Sequence, residues 1–218
     1  MIRIAWDVSH QEFTIEDHYY FSILKNALKK HNVQVEEILD LQDINKYDVL
    51  VLNYPEKPFS NGDVEIIRKF LMSGGRTIIL GYYLNEDRIA DTINTLSTKF
   101  GLRMNEDAIM DEINNYNNDK FFVVTRKIYR YDEGVRWVLM PCTASVKLLS
   151  ENAYVVVMGE ETSRSNRNNQ PIIAAANRIG GGEFIVIGTC VFWDNYSIEK
   201  YDNMNFALNL LIYKKPQH

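Results

Sequence analysis

Residues 47–85 read YDVLVLNYPEKPFSNGDVEIIRKFLMSGGRTIILGYYLN, and this stretch restricts the fold more than any other. Asp48–Leu52 reads as a strand whose Val49–Leu52 run is continuously apolar, the pattern of a strand covered on both faces. Asn53-Tyr54-Pro55 ends it. Ser60 is placed to cap a helix, with Asp63 and Glu65 in the first turn against the helix dipole. Val64, Ile67, Phe70 and Leu71 fall on one face, and Gly74-Gly75 supplies the stop. Thr77–Leu80 is a second apolar strand closing at Gly81. A strand, helix and strand of this kind form a parallel unit with a right-handed crossover.

The flanking residues extend the pattern. Ile2–Trp6 is a first buried strand ending in Asp7-Val8-Ser9-His10. A helix over about 17–31 carries Tyr20, Ile23, Leu24, Ala27 and Leu28 on one stripe, and Val33–Leu39 is the next strand. Residues 86–99 read as a helix with Ile89, Ile93, Leu96 and Phe100 inward. Asn105–Lys120 is a polar stretch too long for an ordinary connection, expected to be mobile or to fold over a site. Short strand-like runs follow at Phe121–Thr125, Trp137–Met140, Ser145–Leu149, Ala153–Met158, Ile172–Ala176 and Phe184–Ile187. Asn177–Gly182 reads as a hairpin connection and Thr162–Gln170 as an exposed loop. A last helix, Asn203–Tyr213, is expected to be capped by Asp202.

The expected architecture is therefore α/β. It is a flavodoxin-like three-layer sandwich whose mainly parallel sheet starts in the order 2-1-3-4 and is extended by antiparallel strands in the C-terminal half. One domain over residues 1–218 is expected. At 46% hydrophobic residues the chain buries a core without a disulfide or metal staple. The net charge of −5 argues against a nucleic-acid partner. No apolar run reaches the ~20 residues of a membrane span, so no membrane partner is expected and the cytoplasm is the expected location. Cys142 and Cys190 are the only cysteines and lack metal-site spacing.

Three segments carry a family resemblance: residues 47–80; Leu96–Leu102 with Asn105-Glu106-Asp107; and Gly181–Gly188 with Trp193-Asp194-Asn195 and Asp202–Leu211. Together they resemble the class I glutamine amidotransferase-like superfamily. More narrowly, they resemble its non-catalytic branch, which includes a domain of an intraflagellar-transport subunit and domains of ABC-type transport and gliding proteins. The resemblance covers most of the chain and implies a ligand, a carbohydrate or a protein, over the carboxyl ends of the strands. The enzymatic branch carries a G-x-C-x-G nucleophile elbow. Here the turn is Gly81-Tyr82-Tyr83-Leu84-Asn85, with Tyr83 in the place of the cysteine and Asn85 in that of the second glycine, and Thr189–Trp193 after the late strand holds no histidine.

Three readings follow. The first is a non-catalytic module binding a small polar ligand such as a saccharide, or a protein partner, through Asp7, His10, Asn53, Tyr54, Tyr82, Tyr83, Trp193 and Asp194. Aromatic faces stack on sugar rings, and carboxamides and carboxylates bind hydroxyls. The second is a hydrolase or amidotransferase relative using a displaced Cys190–His10 pair or a metal. A cysteine nucleophile needs such a base within hydrogen-bond reach. The third is an interaction protein with a filled crevice and an exposed apolar patch or a homodimer interface. No cofactor and no resident metal are expected. Asp7, His10, Glu12 and Asp194 are expected at the same rim, by default as solvated charges.

Overall fold

In the computed structural model, which describes residues 1–216, the chain opens with β1 (Ile2–Asp7), α1 (His18–Lys30) and β2 (Val33–Ile38). Next come β3 (Val49–Asn53), α2 (Asn61–Met72), β4 (Arg76–Leu80) and α3 (Ile89–Ser97). Nine strands follow: β5 (Leu102–Met104), β6 (Asn115–Tyr116), β7 (Asp119–Thr125), β8 (Lys127–Ile128), β9 (Val138–Pro141), β10 (Val146–Leu148), β11 (Ala153–Met158), β12 (Ile172–Ile179) and β13 (Gly182–Ile187). The last helix is α4 (Asn203–Leu211). The eight-stranded main sheet has the order β2-β1-β3-β4-β13-β12-β11-β8. Its first five strands are parallel, and β12, β11 and β8 extend it antiparallel. The expected mixed α/β sheet is thus present. Strands β5 and β10 pair separately, as do β6, β7 and β9. No described helix is long and apolar enough to cross a membrane.

The central unit forms for the reasons its residues announce. β3 and β4 are buried at every position, as a parallel strand covered on both faces must be. Ser60 and Asp63 make a reciprocal capping box at the start of α2. Asp63 Oδ2 accepts from Ser60 N at 2.7 Å, and Ser60 Oγ accepts from Asp63 N at 3.2 Å. Gly74 ends α2 with φ +89°, a conformation few side chains adopt. A Cβ on Gly182 would lie 2.2 Å from the Gly75 carbonyl oxygen, so β13 starts alongside β4 only without a side chain there. Gly180 and Gly181 form the two-residue turn between β12 and β13, since Ile179 pairs with Gly182.

Four local expectations change. The buried face of α1 is Phe21, Leu24 and Leu28, while Tyr20 is 40% exposed. Asp202 does not cap α4; its Oδ2 instead accepts from the backbone N–H groups of Arg136 and Trp137 at 2.8 and 3.1 Å. The helix is held at its start by Asn203, whose buried amide donates to the Leu139 and Phe192 carbonyls. Residues 105–120 are pinned. Asp107 accepts from Ser145 N and Oγ at 2.8 and 2.7 Å, and Asp111 accepts from the hydroxyls of Thr162 and Ser163 at 2.7 and 2.8 Å. The last of these contacts also buries Ser163 within the stretch 162–170, otherwise largely at the surface.

At the amino ends of the strands, Arg76 of β4 and Glu183 of β13 form a largely buried ion pair at 3.1 Å. The hydroxyls of Tyr131 and Tyr154 also donate to Glu183. The Arg76 guanidinium lies over the Tyr213 and Tyr131 rings at 4.0 and 4.9 Å. Five side chains thereby tie both halves of the chain together on the edge away from the candidate site.

Candidate functional site

The carboxyl ends of β1, β3, β4 and β13 meet on one edge of the sheet, where parallel-sheet proteins place ligands. At the end of β1, Asp7 is fully buried. Its Oδ1 accepts from Ser9 N and Oγ at 3.0 and 2.7 Å, and its Oδ2 lies 2.7 Å from His10 Nδ1. His10 stacks on Phe59 at 4.2 Å, and its Nε2 lies 3.5 Å from Asp63 Oδ2. The chain then turns back so that Glu12 Oε2 accepts from His10 N at 2.9 Å. Glu12 Oε1 is buried without a hydrogen-bond donor, 3.9 Å from His10 Nδ1. These charges are buried, contrary to the expectation of a solvated rim.

The electrostatics follow from that burial. Desolvation works against the Asp7 charge, but hydrogen bonds with His10, Glu12 and Ser9 outweigh it and hold the carboxyl below its ordinary range. Burial likewise opposes the imidazolium of His10, while the Asp7 hydrogen bond and the Asp7 and Asp63 charges raise it. Glu12 goes the other way: burial first, then the Asp7 charge, push it up to about 10. Glu12 therefore keeps its proton at neutral pH, and that proton satisfies the pair with Asp7. Ligand atoms of Asp7, His10 and Glu12 lie within 4.8 Å of one another, a donor set that suits a borderline divalent cation. Within the cluster, the 2.7 Å contact between His10 Nδ1 and Asp7 Oδ2 has the length of a charge-assisted bond.

Beside this cluster is a half-open cavity of about 270 Å³. Tyr54 enters it from the end of β3 with φ +62°, its hydroxyl donating to Asp87 Oδ2 at 2.9 Å. Tyr82 enters from the end of β4, 6.1 Å from Tyr54. Cys190 and Asp194 enter from the turn after β13, and Phe13 and Tyr20 from β1's loop and the start of α1. Burial pushes Asp194 up to about 6, against the pull of hydrogen bonds from the Ser197 and Tyr196 N–H groups at 3.0 Å each. The Cys190 thiol is raised well above its ordinary value, by burial first and then by Asp194.

The structure brings Tyr54, Tyr82, Cys190 and Asp194 together, with Asp7 and His10 in the neighbouring buried cluster. Asn53, Tyr83 and Trp193 line no part of the cavity. Asn53 Oδ1 accepts from Trp193 Nε1 at 3.3 Å, and Trp193 is fully buried against Trp6 and Phe192. Tyr83 turns toward Phe121 of β7, and both Tyr82 and Tyr83 hydroxyls face the Cys142 thiol, which burial raises. His10 and Cys190 share no hydrogen bond; the imidazole nitrogens face Asp7 and Asp63. His218 lies outside the described residues.

Sequence reasoning missed Phe13, Tyr20, Phe21, Glu86 and Asp87 as lining residues. Phe13 and the Tyr19-Tyr20-Phe21 run just after the first strand were the available signal, because four rings within nine residues exceed what one helix face buries. Glu86 and Asp87 gave none. They reach the cavity because the chain after β4 takes left-handed turns at Leu84, Asn85, Asp87 and Arg88.

Comparison with known proteins agrees with this architecture. An uncharacterized protein of Aquifex aeolicus (strain VF5) is 47% identical over 224 residues, covering 99% of this chain and 95% of that one. The mmIFT52 N-terminal domain superposes with a TM-score of 0.78 at 20% identity, covering 93% of this chain and 92% of that one. Cytoplasmic Protein STM3548 from Salmonella typhimurium has a TM-score of 0.54 at 12% identity, with 99% and 100% covered. The GH42 beta-galactosidase Gan42B shares the fold at a TM-score of 0.54 and 15% identity, over 100% of this chain and 31% of its own. The family described as the IFT52 GIFT domain matches residues 3–130, more than half of the sequence, and the chain belongs to that family.

Proposed function

We propose that this chain is a non-catalytic binding domain, a single unit over its length, whose aromatic cavity at the carboxyl ends of the strands takes a small polar ligand, such as a saccharide, or part of a protein partner. The observation that carries the reading is the cavity itself, where Tyr54 and Tyr82 meet Asp194 around a thiol that burial keeps protonated. A protonated thiol with no imidazole bonded to it is a poor nucleophile. Membership of the IFT52 GIFT domain family supports an interaction role. The wider kinship to the glutamine amidotransferase-like superfamily belongs to the same proposal; the sheet order supports it, and the tyrosine in place of the elbow cysteine restricts it to a non-catalytic branch.

The test has two arms. Calorimetric titration with neutral mono- and disaccharides and with partner peptides should show binding that Tyr54→Ala weakens. A hydrolase and amidase panel should show no turnover, and turnover abolished by Cys190→Ala would overturn the non-catalytic reading. The alternative, a hydrolase or amidotransferase relative with displaced groups, draws on one feature, the 2.7 Å Asp7–His10 pair. It requires activity lost in His10→Ala.

A further inference from the structure

The charge of the cavity narrows its occupant. Glu86, Asp87 and Asp194 all line it, and among the described residues no lysine, arginine or histidine does. None of the three carboxylates has a salt-bridge partner among the described residues. Arg88, next in sequence, is engaged with Asp91 at 3.2 Å. Lys200, the cation felt by Asp194, donates to the Tyr196 carbonyl and lies over the Tyr196 ring at 4.4 Å. The remaining walls are largely aromatic. Carboxylates beside aromatic faces form the environment that holds an organic cation, through ion pairing and attraction to the ring quadrupoles. A neutral sugar would draw no ion pairing from those charges.

The mouth indicates how the cation is presented. Phe13 and Tyr20 lie on the rim, 5.7 Å apart, and Tyr19 continues the row 4.9 Å beyond. Tyr19 is 78% exposed, and the other two are about 40% exposed. An aromatic row running outward from the pocket is surface that a chain covers and that a small molecule inside the pocket does not reach.

We propose that the cavity receives the basic side chain, arginine or lysine, of a partner protein, with Phe13, Tyr19 and Tyr20 packing on the residues beside it. This rests on the binding-domain reading and specifies its ligand. An amide-resolved NMR titration of the full chain tests it with four probes: the capped peptide Ala-Leu-Arg-Leu-Ala, its citrulline isostere, agmatine, and lactose. The arginine peptide should shift the amides of Tyr82, Asp87, Cys190 and Val191. Citrulline, which keeps the shape and loses the charge, should bind about tenfold more weakly. Agmatine should also bind more weakly, because it leaves the rim bare. Asp194→Asn, which keeps an oxygen to accept from Tyr196 and Ser197, should weaken the peptide several-fold, and the surface variant Phe13→Ser should do the same.

Equal affinity for arginine and citrulline peptides would overturn the cation assignment, and equal affinity for agmatine would overturn the protein partner. Lactose shifting the cavity amides while the arginine peptide does not would overturn this inference and leave the binding-domain reading standing. Silence toward all four probes would count against both.

Discussion

Glu12→Gln should make the protein more stable at pH 8 than the wild type and remove most of one proton from its pH dependence. An unfolded chain releases the Glu12 proton near the ordinary value of 4.5, whereas the folded protein holds it to about 10. Between those values the native state binds the extra proton, so unfolding free energy falls as pH rises, at up to about 1.4 kcal/mol per pH unit. From pH 6 to pH 8 this amounts to roughly 2.7 kcal/mol, twice that slope. His10 adds to the fall: its raised value gives stability that is complete below about 6.5 and is lost as pH passes the folded value. Asp7 has the opposite sign, but its depressed carboxyl loses stability only as pH drops through the acid range, outside this window. Glutamine keeps the shape of Glu12, donates its amide to Asp7 without taking up a proton, and still accepts from His10 N. Urea denaturation at pH 6, 7 and 8 measures both proteins, and the contributions of groups distant from Glu12 cancel in the difference. The two free energies should lie close together at pH 5 and diverge with pH. Parallel curves would refute the protonated Glu12 and reopen the cluster as a metal site, since metal ligands must be deprotonated.

Other substitutions probe the framework. Arg76→Ala should cost about 3–5 kcal/mol in chemical denaturation, because it leaves Glu183 charged and largely buried; a loss under about 1 kcal/mol would mean that water reaches the pair. Gly182→Ala places a methyl 2.2 Å from one backbone carbonyl oxygen and 2.4 Å from another, Leu71, so neither can yield by rotating a side chain. A loss at or above the usual overpacking range of about 1–3 kcal/mol is expected by thermal or urea melting, and a neutral result would show that β13 can shift. Asp111→Ala removes the acceptor of the Thr162 and Ser163 hydroxyls and of the Ile113 and Asn114 N–H groups. Limited proteolysis should then cut within residues 105–120 faster than in the wild type, whereas an unchanged rate would mean that the stretch is held by other contacts.

Periodicity made the parallel core legible. β1, β3, β4 and α2 lie within a residue or two of their expected positions, because a buried strand needs an unbroken apolar run and a helix needs a cap and a stop. The C-terminal strands were also visible as runs, and Ala153–Met158 coincides with β11. Their pairing was not visible. Nothing in Phe184–Ile187 says that this strand inserts beside β4, because parallel partners are chosen by long-range packing. The functions of single polar residues were harder still. Asp202 has the sequence of a cap but bonds the loop before β9, and Asp107 and Asp111 look like loop solvation but anchor their stretch.

The same division runs through the site. The sequence alone determined which residues follow strand ends, and so which could reach the carboxyl edge of the sheet: Asp7, His10, Tyr54, Tyr82, Cys190 and Asp194. It also determined that no cysteine stands in the turn Gly81–Asn85 directly after β4. The tertiary structure decided which of them share a space. Asp7 and His10 turn inward with Glu12, where desolvation outweighs hydration and protons become part of the packing. Trp193 enters the core and Tyr83 faces β7. Tyr54, Tyr82 and Asp194 open onto one cavity, joined by Phe13 and Asp87 from segments whose backbone turns no periodicity encodes. Strand-end position is a local property set by side-chain alternation, whereas burial, and with it charge state and accessibility, depends on neighbours brought in from distant parts of the chain.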